Sequence, residues 1–197
     1  MSKRKICSSC ERPIKTCLCY VITQLSCNYQ LIVLQDPKEA KHALSSAPIL
    51  VKSIKGARLV IGEQFNPFEL LDDDWQENSL LVFPSDKSLT SGQAIQKTYK
   101  HLILLDGTWR KVARLMHLNP WLTELPCIAI NSSNESEYQI RKSPREDGLS
   151  TIEAAVHILN GLQPDKDFSP ILNAFRKMIQ YQIDAMGEAT FDKNYQR

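Results

Sequence analysis

No apolar run in this 197-residue chain approaches the roughly 20 residues that a membrane span needs. The first residues, Met1-Ser2-Lys3-Arg4-Lys5-Ile6-Cys7, are basic, but no apolar stretch follows them, so a secretory leader is not expected. Together these two absences predict a cytoplasmic, reducing setting. Three glycine motifs are missing as well. Without G-x-G-x-x-G, G-x4-G-K-[ST] or G-x-S-x-G, there is no support for a Rossmann dinucleotide site, a P-loop or a hydrolase nucleophile elbow. Internal repeats and low-complexity tracts are also lacking. The net charge of +2 is too small to announce a polyanion binder by itself. What remains is ordinary for a soluble protein, 43% hydrophobic and 23% charged. At this length one domain with a small appendage is expected, able to bury roughly 70% of its unfolded surface.

The charge that is present is segregated. Lys3, Arg4 and Lys5 open the chain. Arg110, Lys111 and Arg114 form a second basic group, and Arg141, Lys142 and Arg145 a third. Acids collect elsewhere, at Asp72-Asp73-Asp74 and between Glu135 and Glu137. A nearly neutral protein can therefore carry local basic surface, although unrelated solvated positions would give the same count.

Cysteine is concentrated too. Cys7, Cys10, Cys17 and Cys19 are spaced C-x2-C-x6-C-x-C, while Cys27 and Cys127 stand apart. Four thiols this close in a reducing compartment point to metal ligands, with free or redox-active thiols as the other reading. Zn²⁺ takes four tetrahedral ligands, and four thiolates close the shell, so the metal would be structural. Residues 1–28 are read as this knuckle and residues 29–197 as the main domain.

Along that domain, short apolar runs alternate with helical patterns. Strands are expected at Gln30 to Gln35, Ala57 to Gly62, Leu80 to Phe83, Leu102 to Leu105 and in the run Pro126 to Ile130. Helices are expected over Ala40 to Leu50, Gly92 to Tyr99, Thr151 to Gly161 and Phe168 to Met186, with residues 65–75 irregular. Ser150 and Glu153 form a capping-box pattern. Residues 131–150 are polar and without apolar period, a length of loop that is usually functional or disordered. Alternating strand and helix predicts an α/β fold, a parallel sheet with helices on both faces.

One stretch stands out, residues 101–117. The buried strand ends at Asp106, the chain turns at Gly107, and a helix opens with Trp109, Val112, Ala113 and Met116 as its apolar stripe. Ligands in open α/β sheets bind beyond the carboxyl ends of strands, so this junction is a candidate site. Asp106 also suits a helix cap, and Trp109 also suits the core.

The cysteine set, Leu34-Gln35-Asp36-Pro37-Lys38-Glu39, Asp106-Gly107-Thr108-Trp109 and Leu149-Ser150-Thr151-Ile152-Glu153-Ala154 occur in an order that resembles the DTW-domain proteins, tRNA-uridine aminocarboxypropyltransferases. The resemblance runs over nearly the whole chain. Where the family commonly has His-Pro-x-Glu, this chain has Asp36-Pro37-Lys38-Glu39, so no imidazole is available at 36.

The resemblance implies a SPOUT-like knotted domain that binds S-adenosylmethionine. It implies transfer of a 3-amino-3-carboxypropyl group to N3 of a uridine in the tRNA variable loop, with release of 5′-methylthioadenosine. On that reading Asp106, Thr108 and Trp109 are catalytic. Leu104, Leu105, Leu149, Ser150 and Thr151 hold the cofactor. Arg110, Lys111, Arg114, Arg141, Lys142 and Arg145 meet RNA, and Cys7, Cys10, Cys17 and Cys19 hold structural zinc. A SPOUT-type methyltransferase and a non-catalytic zinc-knuckle RNA-binding protein are the competing expectations.

Overall fold

A computed structural model describes residues 5–130 and 149–187. Five strands form one sheet: β1 (Gln30–Gln35), β2 (Arg58–Ile61), β3 (Ser79–Val82), β4 (His101–Asp106) and β5 (Cys127–Ile128). Their order is β2-β1-β4-β3-β5, and every pairing is parallel. The predicted parallel α/β sheet is therefore present.

The strands are short and almost wholly apolar because both of their faces are covered. Side chains alternate across the sheet. Leu31, Val33, Leu80, Leu102 and Leu104 enter one core, and Ile32, Leu34, Leu81 and Ile103 enter the other. The first core is closed by α2 (Ala47–Ser53), α5 (Ser91–Ile95), α7 (Thr151–Leu162) and α8 (Leu172–Met186). The second is closed by α4 (Trp75–Asn78), by α6 (Trp109–Leu118) through Met116, and by a 3₁₀ turn at Pro120–Glu124. Two short helices, α1 (Pro37–Ala40) and α3 (Pro67–Leu70), and two further 3₁₀ turns, Ile14–Thr16 and Ser169–Ile171, complete the described elements.

Several boundaries differ from expectation, each for a local reason. The single helix expected over Ala40 to Leu50 is two pieces, α1 and α2, separated at residues 41–46. Pro48 explains the break, since it sits in the first turn of α2, where its missing N–H costs no helical bond. Asp36 caps α1 by accepting from the backbone N–H of Lys38 and Glu39. Residues 65–75, expected to be irregular, contain α3, which Asn66 caps through the Phe68 N–H. The last helix is preceded by a 3₁₀ turn, Ser169–Ile171. The apolar stripe of α6 is also shifted. Val112 and Leu115 are buried and Met116 partly so, but Trp109 is 40% exposed and Ala113 is exposed.

The strand order places a topological switch between β1 and β4. The chain leaves β1 toward β2 at one edge and leaves β4 toward β5 at the other. The C-terminal residues of these two central strands, Gln35 and Asp106, are register partners. A crevice opens at such a point in an α/β sheet.

Candidate active site

Asp106 lies at this crevice and is 5% exposed. It does not cap α6; Thr108 occupies the cap position and makes no side-chain cap bond. The carboxylate is instead gripped from two sides. Gln35 Nε2 donates to Oδ2 at 2.6 Å, and the Thr151 hydroxyl donates to Oδ1. The end of β4 is thereby bound to the end of β1 and to the first turn of α7, bringing the Asp106 motif against the Leu149–Ala154 segment.

The other predicted site residues divide around this clasp. Leu104 is buried in the strand and Ser150 is buried beneath the helix start. Ser150 is fully committed locally: its N–H and hydroxyl donate to the Glu153 carboxylate, and its carbonyl accepts from Ala154 N–H. This is the capping box that the sequence pattern predicts. Leu105, Leu149 and Thr151 keep partial exposure. Thr108 and Trp109 are exposed just beyond Asp106.

The basic stripe of α6 is partly neutralised. Lys111 Nζ lies 2.7 Å from Glu39 Oε2, so the Pro37–Glu39 turn is clamped to α6 by an ion pair whose acid is buried. Gly107 makes room for this approach, since a Cβ there would stand 3.0 Å from Lys111 Cβ. Arg114 reaches Glu63 at 2.8 Å, with both groups well exposed. Arg110 is exposed. Arg141, Lys142 and Arg145 lie outside the described residues.

Sequence reasoning overlooked Gln35 and Ser45. Gln35 Nε2 also donates to Ser45 Oγ at 2.8 Å, tying the turn after α1 into the same network. Gln35 was discoverable by parity. It follows Leu31 and Val33 at a spacing of two, a polar residue at a core-facing position.

Near the N-terminus, the sulfurs of Cys7, Cys10, Cys17 and Cys19 all lie within 4.8 Å of one another. Cys7 and Cys19 are 3.6 Å apart, and Cys10 and Cys17 are 3.7 Å apart. Tetrahedral zinc with ~2.3 Å bonds sets sulfurs about 3.8 Å apart, so the four thiols fit that ion. The backbone N–H groups of Cys10 and Ser9, and then the Cys19 side chain, hold the Cys7 thiol down to about 6. At Cys7, N–H donors turned toward sulfur favour the thiolate that a metal requires, whereas Cys17, among the other thiols, is pushed up to about 12.

The cluster is seated firmly on the domain. Leu18 is fully buried in the first core, Arg12 Nη1 donates to the Ala43 carbonyl, and Lys52 Nζ donates to the Ser9 carbonyl.

Comparison with known proteins now places the chain. The DTW domain profile matches residues 4–183. A Drosophila melanogaster protein named tRNA-uridine aminocarboxypropyltransferase 2 is 27% identical over 194 residues, spanning 93% of this chain and 77% of that protein. A Mus musculus protein of the same name is 25% identical over 204 residues, spanning 98% of this chain and 68% of its own length. An Arabidopsis thaliana protein named tRNA-uridine aminocarboxypropyltransferase A is 21% identical over 215 residues, spanning 91% and 81%. No solved structure matches.

Proposed function

The chain belongs to the DTW-domain family, and from that premise we propose that it is a tRNA-uridine aminocarboxypropyltransferase acting on N3 of a uridine in the tRNA variable loop. The observation that carries this reading is the position of Asp106: a buried carboxylate at the switch point of a parallel sheet, locked to both motif segments that flank it. A SPOUT-like, knotted wind of the sheet and a cytoplasmic location belong to the same reading.

S-adenosylmethionine, when bound, supplies the 3-amino-3-carboxypropyl group from its sulfonium and leaves as 5′-methylthioadenosine. The residues around Asp106 offer the apolar surface and strand-end backbone that such a group would meet. Leu105, Leu149 and Thr151 offer partly exposed surface at the carboxyl end of the sheet, and Leu104 and Ser150 offer backbone.

Uridine N3 carries a proton and is a poor nucleophile until it is lost. Asp106 is the group we assign to receive that proton, a general-base role worth roughly 10²–10⁴-fold. Gln35 and Thr151 each donate to a different oxygen of Asp106, so the carboxylate is presented in a fixed orientation at the crevice. Thr108 and Trp109, exposed beside it, meet the base; Trp109 offers an indole face on which an unstacked uracil can lie. Arg110, Lys111 and Arg114 face the RNA backbone, with Arg141, Lys142 and Arg145 assigned to the same task. Zinc at the four cysteines is structural, since the thiolates leave no open coordination position.

Incubation of the purified chain with tRNA and S-adenosylmethionine, followed by mass spectrometry of nucleosides and small molecules, tests the proposal. The expected products are 3-aminocarboxypropyl-uridine and 5′-methylthioadenosine. S-Adenosylhomocysteine with a methylated base would establish a methyltransferase instead. Tight RNA binding with no product, and no heat on titrating S-adenosylmethionine alone, would establish an RNA-binding module.

A further inference from the structure

Gln35 breaks the pattern of its own strand. The four residues before it, Leu31 to Leu34, are apolar and buried, and Gln35 is itself 0% exposed. Its amide is asymmetrically satisfied. Nε2 uses both hydrogens, one on Ser45 Oγ at 2.8 Å and one on Asp106 Oδ2 at 2.6 Å. Oε1 has no partner among the described residues.

Turning the amide over does not help, because Oε1 would then face an acceptor oxygen of Asp106 at the same short distance. The orientation is therefore dictated by Asp106, and the cost falls on Gln35. A buried acceptor without a donor is destabilising, a cost that an apolar residue at this position would avoid. Local rules broken in this way are expected where a residue serves the site at the expense of stability.

We infer that Gln35 is a positioning residue for the proposed transfer, holding the Asp106 carboxylate ionised and aimed. The inference rests on the reading of Asp106 as the proton acceptor. Its physical content is specific. An N–H donor on Oδ2 favours the anion over the acid. A second donor, from Thr151 on Oδ1, stops the carboxylate turning about its Cβ–Cγ bond. Ser45 fixes Gln35 in turn, and Ser45 lies two residues from Ala43, whose carbonyl Arg12 of the cysteine knuckle contacts. The clasp is thus backed by a turn that the knuckle braces.

The test uses the full chain and three proteins: wild type, Gln35→Leu and Gln35→Glu. Carboxyl ¹³C titration reads the charge of Asp106 directly, with Asp106→Asn for assignment. Gln35→Leu should raise the Asp106 apparent pKa by about one unit, because a donor to the anion is gone. Gln35→Glu should raise it further, since two carboxylates in contact share a proton and titrate as a pair.

In steady-state assays, Gln35→Leu should lower kcat about 10- to 100-fold while KM for tRNA and for S-adenosylmethionine stays within about threefold. Gln35→Glu should move the acid limb of the kcat–pH profile upward. A purely structural Gln35 would shift Tm and leave both the titration and the pH profile unmoved, and that result overturns the inference. So does a moved titration with unchanged kcat. A wild-type chain that makes no transfer product defeats the reading of the reaction instead, and the titration still decides whether Gln35 controls the charge on Asp106.

Discussion

An alanine at 106 removes the acceptor for two donors at once, so Asp106→Ala mixes loss of chemistry with a stability cost of about 1–3 kcal/mol. Asp106→Asn separates them. Its Oδ1 can accept from Gln35, and its NH₂ can donate to the Thr151 hydroxyl, which accepts as readily as it donates. We therefore expect Asp106→Asn to keep Tm within a few degrees of wild type and to lose the tRNA modification by about 10²-fold or more; full activity in the amide variant would remove Asp106 from the reaction. The Glu39–Lys111 pair behaves differently. Glu39 is buried whereas Lys111 keeps a quarter of its surface, so the lysine is the dispensable partner only if the acid goes with it. Lys111→Met should destabilise the fold by about 1–3 kcal/mol in urea unfolding, and Glu39→Gln/Lys111→Met should recover most of that loss. Equal stability of the two variants would mean that the pair is merely adjacent.

At the scale of elements, α7 packs against α5 through a glycine. A Cβ on Gly161 would stand 2.5 Å from Ser91 Oγ and 3.2 Å from Ser91 Cβ. Gly161→Ala gains up to about 1 kcal/mol of helix propensity and loses about 1–3 to overpacking, so net destabilisation is expected in a denaturant titration. Ser91→Gly in the same background should turn the change favourable. His101, at the start of β4, links the sheet to pH. Burial pushes its imidazole below the ordinary value, while Asp72, 3.5 Å from Nε2, opposes the shift. Between the folded and unfolded values the unfolded chain binds more protons. Stability is thus full above about pH 6.5 and declines as pH falls through it. Tm measured from pH 7.5 to 5.5 should drop in wild type and flatten in His101→Leu. Much of this level was legible beforehand: strands buried on both faces declare themselves as apolar runs, and the Ser150–Glu153 box declares α7. The broken helix at 41–46 was not, because Ala, Leu and Ser continue a helical pattern that Pro48 interrupts only from inside. Nor was the exposure of Trp109, since periodicity gives the apolar stripe of α6 but not its rotation against the sheet. The Asp106 clasp joins residues 35, 106 and 151, a meeting that depends on the strand order and that no local pattern carries.

For the molecule as a whole, the cysteine knuckle and the α/β body are chemically distinct yet share a core, because Leu18 sits inside it. The boundary we propose at residue 28 therefore separates two chemistries more than two folding units. Metal removal should be felt by the entire domain: about one zinc per chain is expected on assay, and chelation should lower Tm by about 5–10 °C, equivalent to a loss of about 2–3 kcal/mol. An unchanged melting curve after complete removal would show that the knuckle stands without its metal. The proposed RNA contact also belongs to this scale, because it depends on how charge is distributed and not on how much there is. Among the cations of α6, Lys111 and Arg114 already face carboxylates, whereas Arg110 is exposed at the first turn, beside Asp106. A cation that must leave an acid to meet a phosphate contributes less to binding than one that need not. The ranking can be read from salt. Each phosphate contact contributes about 0.7–0.9 to the slope of log affinity against log salt concentration. Arg110→Ala should reduce the slope for tRNA by about that amount, and Arg114→Ala by less than half of it, because Arg114 must first leave Glu63 to meet a phosphate. Equal slopes for the two variants would place the RNA against the whole stripe, and an unchanged slope for Arg110→Ala would place it elsewhere on the surface.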